Sequence, residues 1–263
     1  MSKGLTVFLG GAGMNGNYQE DMVSALRASG ISNPVYGNYS GWLQGIDKGL
    51  HWSVDTVADA SAVIFYNQDQ NDPIALQFAN TNDCKVEGSR SAFGLVLTTY
   101  SGLNRSGDEC PRHTIRYELE TPRSSDFSLQ NLEVKQLPPT DGQFNFIGYS
   151  WGSIIAARSA LQYALKGKTI DYLVLIGAPI NQSLLTAVRN NKLIKKVIVI
   201  NLTEHGDPIY AGMSDKEIIT AIPDMGKQMT EGGEGHFYYA AENEHGSTRR
   251  LKLANQLFRA GLR

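Results

Sequence analysis

The second half of the chain alternates apolar runs with amphipathic segments, and this alternation limits the folds open to it more than any other feature. Three apolar runs predict strands: QFNFIGYS, IDYLVLIGAP and KKVIVINL. Segments with helical spacing lie between and after them: GSIIAARSALQYALKG, NQSLLTAVRNN and GSTRRLKLANQLFRAGL. Strands and helices that alternate in this way form a mostly parallel sheet with right-handed crossovers. We therefore predict an α/β fold, with helices flanking a central sheet.

The first half of the chain is less regular. LTVFLG predicts a buried first strand, and a helix is predicted from Tyr18 to Ala28. Further strands are predicted at 61–67 and 93–100. After them, apolar and polar residues alternate in HTIRYELE and FSLQNLEVKQL, as in half-exposed strands or irregular structure. We predict a single domain over residues 1–263, with an insertion or cap within 68–140.

The composition excludes several classes of protein. The 263 residues carry a formal net charge of −2, which provides no field for gathering nucleic acid or an anionic membrane. Basic clusters such as 249–252 are interpreted as solvated surface. Cys84 and Cys110 could form one disulfide in an oxidising compartment, and free thiols are equally compatible with the sequence. Because no group of residues has metal-ligand spacing, we expect no metal. We also expect no organic cofactor, for the reason given below for the glycine segment.

The start of the chain imitates a secretory signal only superficially. In MSKGLTVFLGGAGM a lysine precedes an apolar segment, but that segment is short and interrupted by glycine. No apolar stretch approaches the roughly 18 residues that a membrane span needs. We expect synthesis in the cytoplasm without export by the general secretory pathway, which leaves a dedicated secretion route open.

A G-x-S-x-G motif provides the clearest candidate for catalysis. It runs from Gly148 to Gly152, and it lies between an apolar strand and a long predicted helix. In that context the central Ser150 occupies a tight strand-to-helix turn, and its hydroxyl is raised above the sheet. The flanking glycines avoid clashes with neighbouring backbone, and the helix amino terminus favours negative charge nearby. We predict that Ser150 is a nucleophile.

A nucleophilic serine needs an acid and a base, which follow it in the chain order Ser, Asp/Glu, His. Glu204 and Asp207 both lie after the strand KKVIVINL, and the GDP turn favours Asp207. Two histidines then remain as candidates. If HFYYAAE is the last strand, His245 is the base; if it is a loop that leads into the final helix, His236 is the base. We favour His236, which emerges from a glycine-rich stretch.

The segment GGAGMNG matches two kinds of site. Gly11, Gly13 and Gly16 satisfy the G-x-G-x-x-G spacing of a dinucleotide-binding turn. Such a turn needs an acidic residue about 20 positions later, but residues 22–46 contain none. The alternative is an oxyanion loop, in which Ala12, Gly13 or Met14 supplies one backbone N–H donor. The second donor would be the N–H of Trp151, directly after the nucleophile.

These motifs together resemble a known superfamily. VFLGGAGM, FIGYSWGS, VINLTEHGDPI and GHFYYA are similar to the lipase and esterase branch of the α/β-hydrolases. The opening also resembles bacterial lipase-like proteins, including antibacterial phospholipase effectors of the type VI secretion system. The resemblance implies a serine ester hydrolase, a lipase or phospholipase active in lipid degradation. It also implies a lipid or small acyl-ester substrate and a secretion-system carrier or an immunity protein as partner.

Two alternatives remain open from the sequence. A thioesterase would use the same Ser–His–Asp residues and the same oxyanion donors. An NAD(P)-dependent oxidoreductase would use Gly11, Gly13 and Gly16 to hold the cofactor pyrophosphate.

Overall fold

The computed structural model describes residues 4–11, 16–39, 64–66, 73–76, 83–92, 95–107, 110, 113–117, 127–214, 217–218, 220–221, 224–225, 228 and 234–263. The chain forms two compact units. The first consists of Met1–Trp42, Trp52–Val54 and Arg123–Arg263, and the second consists of Leu43–His51 and Asp55–Pro122. The second unit overlaps the predicted insertion at 68–140. Among the described residues, no helix has the length and apolar character needed to cross a bilayer.

The strands and helices are named in chain order. The amino-terminal elements are β1 (Leu5–Leu9), α1 (Tyr18–Ala28) and β2 (Pro34–Tyr36). The second unit contains β3 (Ile64–Tyr66), β4 (Pro73–Leu76), β5 (Lys85–Ala92), β6 (Leu95–Ser101) and β7 (His113–Tyr117). The carboxyl-terminal elements are β8 (Phe144–Tyr149), α2 (Trp151–Leu165), β9 (Ile170–Ile176), α3 (Gln182–Asn190), β10 (Ile194–Ile200) and α4 (Glu244–Arg259).

The first unit is built on a parallel sheet, as predicted for an α/β fold. Its five strands run in the order β10-β9-β8-β1-β2, and every neighbouring pair is parallel. All residues of β1 and β8 are buried. The chain moves from β1 to β2 on one side and returns to β8 on the other. The carboxyl ends of β1 and β8 therefore form a topological switch point, where open α/β sheets bind their ligands.

The helices cover this sheet with apolar side chains. α1 packs beside α4, and α2 packs on β8 and β9. α1 has the predicted bounds, and its Met22 and Leu26 are fully buried against the sheet. From α4, Leu253 and Leu257 join the same cluster. Burying a side chain of this size stabilises the fold by about 1.5–3 kcal/mol, so this layer provides a rigid base for the loops above it.

The second unit contains an antiparallel sheet of five strands in the order β4-β3-β7-β6-β5. The predicted strands at 61–67 and 93–100 correspond to β3 and β6 of this sheet. In the parallel sheet, the second strand along the chain is β2, which was not predicted from the sequence. β2 has three residues and begins with a proline, so it is too short to show a periodic apolar pattern.

The two cysteines pair within the second unit. A disulfide joins Cys84, directly before β5, to Cys110, between β6 and β7. Their Cα atoms are 5.9 Å apart, and the bond closes a segment with a sequence separation of 26. The sequence left the choice between a disulfide and free thiols open, and the structure contains the disulfide.

Candidate active site

Ser150 occupies a strained turn between β8 and α2. Its φ of 54° and ψ of −125° lie in a region that non-glycine residues rarely adopt. Such a conformation costs about 1–3 kcal/mol and persists only where the surroundings impose it. Both flanking glycines are required by close packing. A Cβ on Gly148 would lie 2.4 Å from the Cα of Ser153, and one on Gly152 would lie 2.2 Å from the carbonyl oxygen of Leu9.

Hydrogen bonds fix this turn to the neighbouring strand. The Ser150 N–H donates to the carbonyl oxygen of Ile176 at the end of β9, at 2.8 Å. The Ser153 hydroxyl donates to the carbonyl oxygen of Gly148, also at 2.8 Å. Trp151 is the first residue of α2, so its N–H belongs to the turn of helix that has no intrahelical acceptor. The peptide dipoles of α2 therefore point their positive end towards the serine hydroxyl.

Ser150, His236 and Asp207 form a continuous chain of hydrogen bonds. Ser150 Oγ lies 2.6 Å from His236 Nε2, and His236 Nδ1 lies 2.9 Å from Asp207 Oδ2. The three residues are 7%, 2% and 3% exposed. With the Asp207 carboxylate accepting from Nδ1–H, Nε2 has a free lone pair and can accept the serine proton. The geometry is that of a nucleophile, a base and a group that orients the base.

The two alternatives named from the sequence lie outside this chain of hydrogen bonds. His245 is exposed in the first turn of α4. The side chain of Glu204 is 80% exposed, and its carboxylate lies 3.4 Å from His205 rather than near His236. The segment HFYYAAE contains no strand, and His236 lies in a short 3-10 turn, Gly235–Phe237. This is the condition under which the sequence favoured His236.

The loop after β10 fixes the orientation of the Asp207 carboxylate. The loop turns through a 3-10 segment, Thr203–His205, and then through Gly206 at a φ of 86°. The Asp207 N–H donates to the carbonyl oxygen of Leu202 at 3.2 Å. Oδ1 accepts from the N–H of Ile209 at 2.8 Å, which leaves Oδ2 to face the imidazole.

Tyr149 contacts both the backbone and the ring of His236. Its hydroxyl donates to the carbonyl oxygen of His236, and the two rings stack with centroids 6.2 Å apart. Burial raises the pKa of the Tyr149 hydroxyl well above its ordinary value, so the group remains a neutral donor. Gln228 accepts from the N–H of His236 at 2.8 Å. The backbone of His236 is therefore bonded on both sides.

Arg250 ties the segment that follows His236 to the helices. It is 2% exposed, although the sequence interpretation placed the cluster at 249–252 on the solvated surface. Its Nη1 donates to the carbonyl oxygens of Tyr239 and Ala241 at 2.7 and 2.8 Å, and its Nε donates to Asp21 on α1. Helical spacing contains a signal for this burial, because Arg250 shares a face with the buried Ala254 and Leu257.

The glycine segment after β1 begins next to the serine turn. The Tyr39 hydroxyl donates to the carbonyl oxygen of Gly10 at 2.6 Å, and the Gly11 N–H donates to the Tyr18 hydroxyl at 2.9 Å. The peptide between Gly10 and Gly11 is therefore held on both sides. The predicted oxyanion donors Ala12, Gly13 and Met14 lie outside the described residues.

The amino end of α1 is occupied by a carboxylate. Glu242 Oε1 accepts from the N–H of Tyr18 at 3.3 Å, and a Cβ on Gly16 would overlap the same carboxylate group. In a dinucleotide-binding turn, the pyrophosphate takes this position at the helix amino terminus. Here a phosphate would meet a negative charge. The third glycine of the G-x-G-x-x-G pattern thus has a packing reason that involves no nucleotide.

No group of three or more potential metal ligands occurs in the part of the chain that the structure describes. In comparisons with known proteins, no family model, no curated protein and no solved structure matches the chain.

Proposed function

We propose that this protein is a serine hydrolase of carboxylic esters with an α/β-hydrolase fold. The observation that carries the proposal is the hydrogen-bonded chain from Ser150 through His236 to Asp207, together with the strained backbone of Ser150. The parallel sheet supports the same conclusion, because it places the serine at the switch point beside the loop that follows β1.

The proposed reaction proceeds through an acyl-enzyme. Ser150 Oγ attacks the acyl carbonyl carbon while His236 Nε2 takes the hydroxyl proton. The tetrahedral intermediate collapses, the C–O bond to the alcohol breaks, and the imidazolium gives its proton to the leaving oxygen. Water then attacks the acyl carbon, His236 takes its proton, and Ser150 leaves with that proton as the free acid departs. Asp207 keeps the ring oriented and stabilises the imidazolium in both halves of the reaction.

The negative charge that develops on the acyl oxygen requires two backbone donors. The N–H of Trp151 is one, at the positive end of α2. We assign the second to the segment after Gly11, with Ala12 or Gly13 as the donor. Losing one such donor costs about 2.7–4 kcal/mol of transition-state stabilisation.

The proposed substrate is a lipid, which makes the protein a lipase or phospholipase, or a small acyl ester, which makes it an esterase. The resemblance of VFLGGAGM and FIGYSWGS to lipase-like proteins supports this choice. A thioester is the second candidate substrate, because the same groups would carry out its hydrolysis. A dedicated secretion route, with a carrier or an immunity protein as partner, rests on the resemblance of the opening, VFLGGAGM, alone. The oxidoreductase alternative is disfavoured by the Glu242 carboxylate at the amino end of α1.

The test compares two serines of the same segment. Purified wild-type protein should hydrolyse p-nitrophenyl esters, and Ser150→Ala should remove this activity. Ser159→Ala is the matched control, because Ser159 is buried on α2 and its hydroxyl has no partner among the described residues. A series of acyl lengths, phospholipid vesicles and acyl thioesters then ranks the substrate classes. Hydrolysis that survives Ser150→Ala would contradict the proposal.

A further inference from the structure

Gln228 contacts both loops that carry the acid and the base. We call residues 202–209 the acid loop and residues 234–238 the base loop. Gln228 Nε2 donates to the carbonyl oxygen of Gly206 in the acid loop at 2.8 Å. Its Oε1 accepts from the N–H of His236 in the base loop at 2.8 Å. One side-chain amide therefore joins the peptide that precedes Asp207 to the backbone of His236.

The base loop is built to accommodate this amide. Gly235 has a φ of 31°, and a Cβ there would lie 2.3 Å from Gln228 Oε1. Any side chain at 235 would thus displace Gln228 from the N–H of His236. The sequence offers no reason for the individual glycines of the stretch GEGHF, and the packing of Gly235 is explained by a residue seven positions earlier.

Besides the bond between Asp207 and His236 themselves, the two loops make backbone hydrogen bonds to other partners. The Asp207 N–H is taken by Leu202 within the acid loop, and the His236 carbonyl oxygen is taken by Tyr149 from the sheet. The loops also meet through side chains, where the ring of His205 stacks on that of Tyr238 with centroids 3.7 Å apart. Stacked rings can slide, whereas an amide that both donates and accepts fixes a distance and a direction.

We propose that Gln228 is a positioning residue that sets the separation of Asp207 and His236, and this proposal rests on the proposed function. Gln228 does not touch the reacting atoms. It acts by keeping Nδ1 of the ring against Asp207 Oδ2 while Nε2 receives and returns the serine proton. A misplacement of about 1 Å in such a group costs about 100-fold in rate. Loss of the amide should therefore lower kcat by about 10- to 100-fold and leave KM within about twofold.

The experiment uses Gln228→Met and Gln228→Ala, with Gln143→Ala as the control. Met keeps the length of the side chain and removes both hydrogen bonds, whereas Ala removes the side chain as well. Gln143 makes the same pair of bonds elsewhere: its amide donates to the carbonyl oxygen of Gly261 at 3.0 Å and accepts from the N–H of Arg263 at 2.7 Å. It lies before β8, at the opposite end of that strand from Ser150.

Two readouts are taken at a temperature where circular dichroism shows every variant folded. The first is kcat and KM for a p-nitrophenyl ester. The second is the low-field proton resonance of His236 Nδ1–H, which reports the bond to Asp207 without any substrate. We expect Gln228→Met and Gln228→Ala to lose kcat and to broaden the resonance, while Gln143→Ala changes neither.

The outcomes separate the two proposals. Wild-type kcat and an unchanged resonance in Gln228→Met would overturn the positioning role and leave the proposed function intact. An equal loss in Gln143→Ala would also overturn it, because the effect would then be general loosening. A wild-type protein that hydrolyses no ester would contradict the proposed function, and the resonance would still decide whether Gln228 positions the pair.

Discussion

The parallel and antiparallel sheets of this chain are stabilised in different ways. Every residue of β1 and β8 in the parallel sheet is buried, and apolar side chains from α1 and α4 cover that sheet. In the antiparallel sheet, residues 85–89 of β5 are exposed, and a disulfide closes the chain around β5 and β6. Burial holds the first sheet together, and a covalent bond strengthens the second. Ser150, Asp207 and His236 all belong to the unit with the buried sheet.

This difference has a chemical reason. We call the hydrogen-bonded chain of Ser150, His236 and Asp207 the relay. Its distances must be held to a fraction of an ångström, and sites built on rigid elements hold such distances better than sites on exposed segments. Changes to Ser150, His236 or Asp207 should therefore reduce the proposed activity by orders of magnitude. Changes in the second unit should alter stability by a few kcal/mol and leave the relay working.

The largest expected effect separates the two histidines. His236→Gln removes the base and should lower kcat/KM by about a million-fold, because nucleophile and base act as one unit. His245→Gln changes an exposed residue of α4 and should alter kcat/KM by less than about twofold. Steady-state ester hydrolysis measures both. A large loss in His245→Gln would show that the base is His245 and not His236.

The next effect separates the two acids. Asp207→Asn keeps the shape of the side chain but favours the wrong tautomer of His236, and it should lower kcat by about 10,000-fold. Glu204→Gln alters a side chain that is 80% exposed and should leave kcat unchanged within about twofold. The comparison fails if the two variants lose similar amounts of activity.

Replacing one glycine in or beside each sheet by alanine compares the packing around the two sheets. A Cβ on Gly152 would lie 2.2 Å from the carbonyl oxygen of Leu9, whereas a Cβ on Gly88 in β5 would meet nothing within 4 Å. Gly152→Ala should lower the free energy of unfolding by about 3 kcal/mol or more. Gly88→Ala should change it by less than about 1 kcal/mol. Urea unfolding measures both, and equal losses would contradict the difference in packing.

Removing the disulfide tests the covalent part of the comparison. Replacing Cys84 and Cys110 by serine should destabilise the second unit by about 3.5 kcal/mol, from the closure of a segment with a sequence separation of 26. Hydrogen exchange should quicken in peptides from β5 to β7. Ester hydrolysis should stay within about twofold of the wild type, and a loss of activity larger than this would show that the relay depends on the second unit.

The smallest expected effect concerns pH and Tyr149. Because burial raises its folded pKa, its contribution to stability is complete below about pH 10 and is lost as the unfolded chain ionises above that value. Between pH 10 and 11 the free energy of unfolding of the wild type should fall by about 1 kcal/mol more than that of Tyr149→Phe. Urea titrations at both pH values measure this difference. An equal fall in the free energy of unfolding of both proteins would contradict the raised pKa of Tyr149.

The sequence predicted the parts of the fold that have a local signal. The strand, turn and helix around Ser150 have periodic apolar patterns and a motif that demands two glycines, and the structure contains each of them. β2 has no such signal, because three residues that begin with a proline show no period. The antiparallel pairing of β3 with β7 was also not predicted from the sequence, since register between distant segments depends on tertiary packing.

For the candidate site, chain order and turn chemistry favoured Ser150, Asp207 and His236, which the structure brings together, and kept Glu204 and His245 as alternatives. Chain order narrowed the base to two candidates, but the choice depended on whether HFYYAAE was a strand or a loop. Hydrogen bonds with Tyr149 and Gln228 hold His236 in its turn. Tyr149 is distant from His236 along the chain, and Gln228 lies in the segment before the base loop. Gln228 was missed for the same reason, because its partners are backbone carbonyl and N–H groups, which leave no pattern in the sequence. Arg250 was missed although helical spacing places it on the buried face of α4.

The proposed role of Ser150 is tested most directly by labelling with a fluorophosphonate, which reacts with a serine only when a neighbouring base has activated it. Intact mass and peptide mapping of the folded protein give the extent and the position of labelling. We expect one adduct per chain, on Ser150, with none on Ser150→Ala and far slower labelling of His236→Gln. Folded wild-type protein that stays unlabelled, or that labels equally after Ser150→Ala, would contradict the proposal that Ser150 is a nucleophile activated by His236.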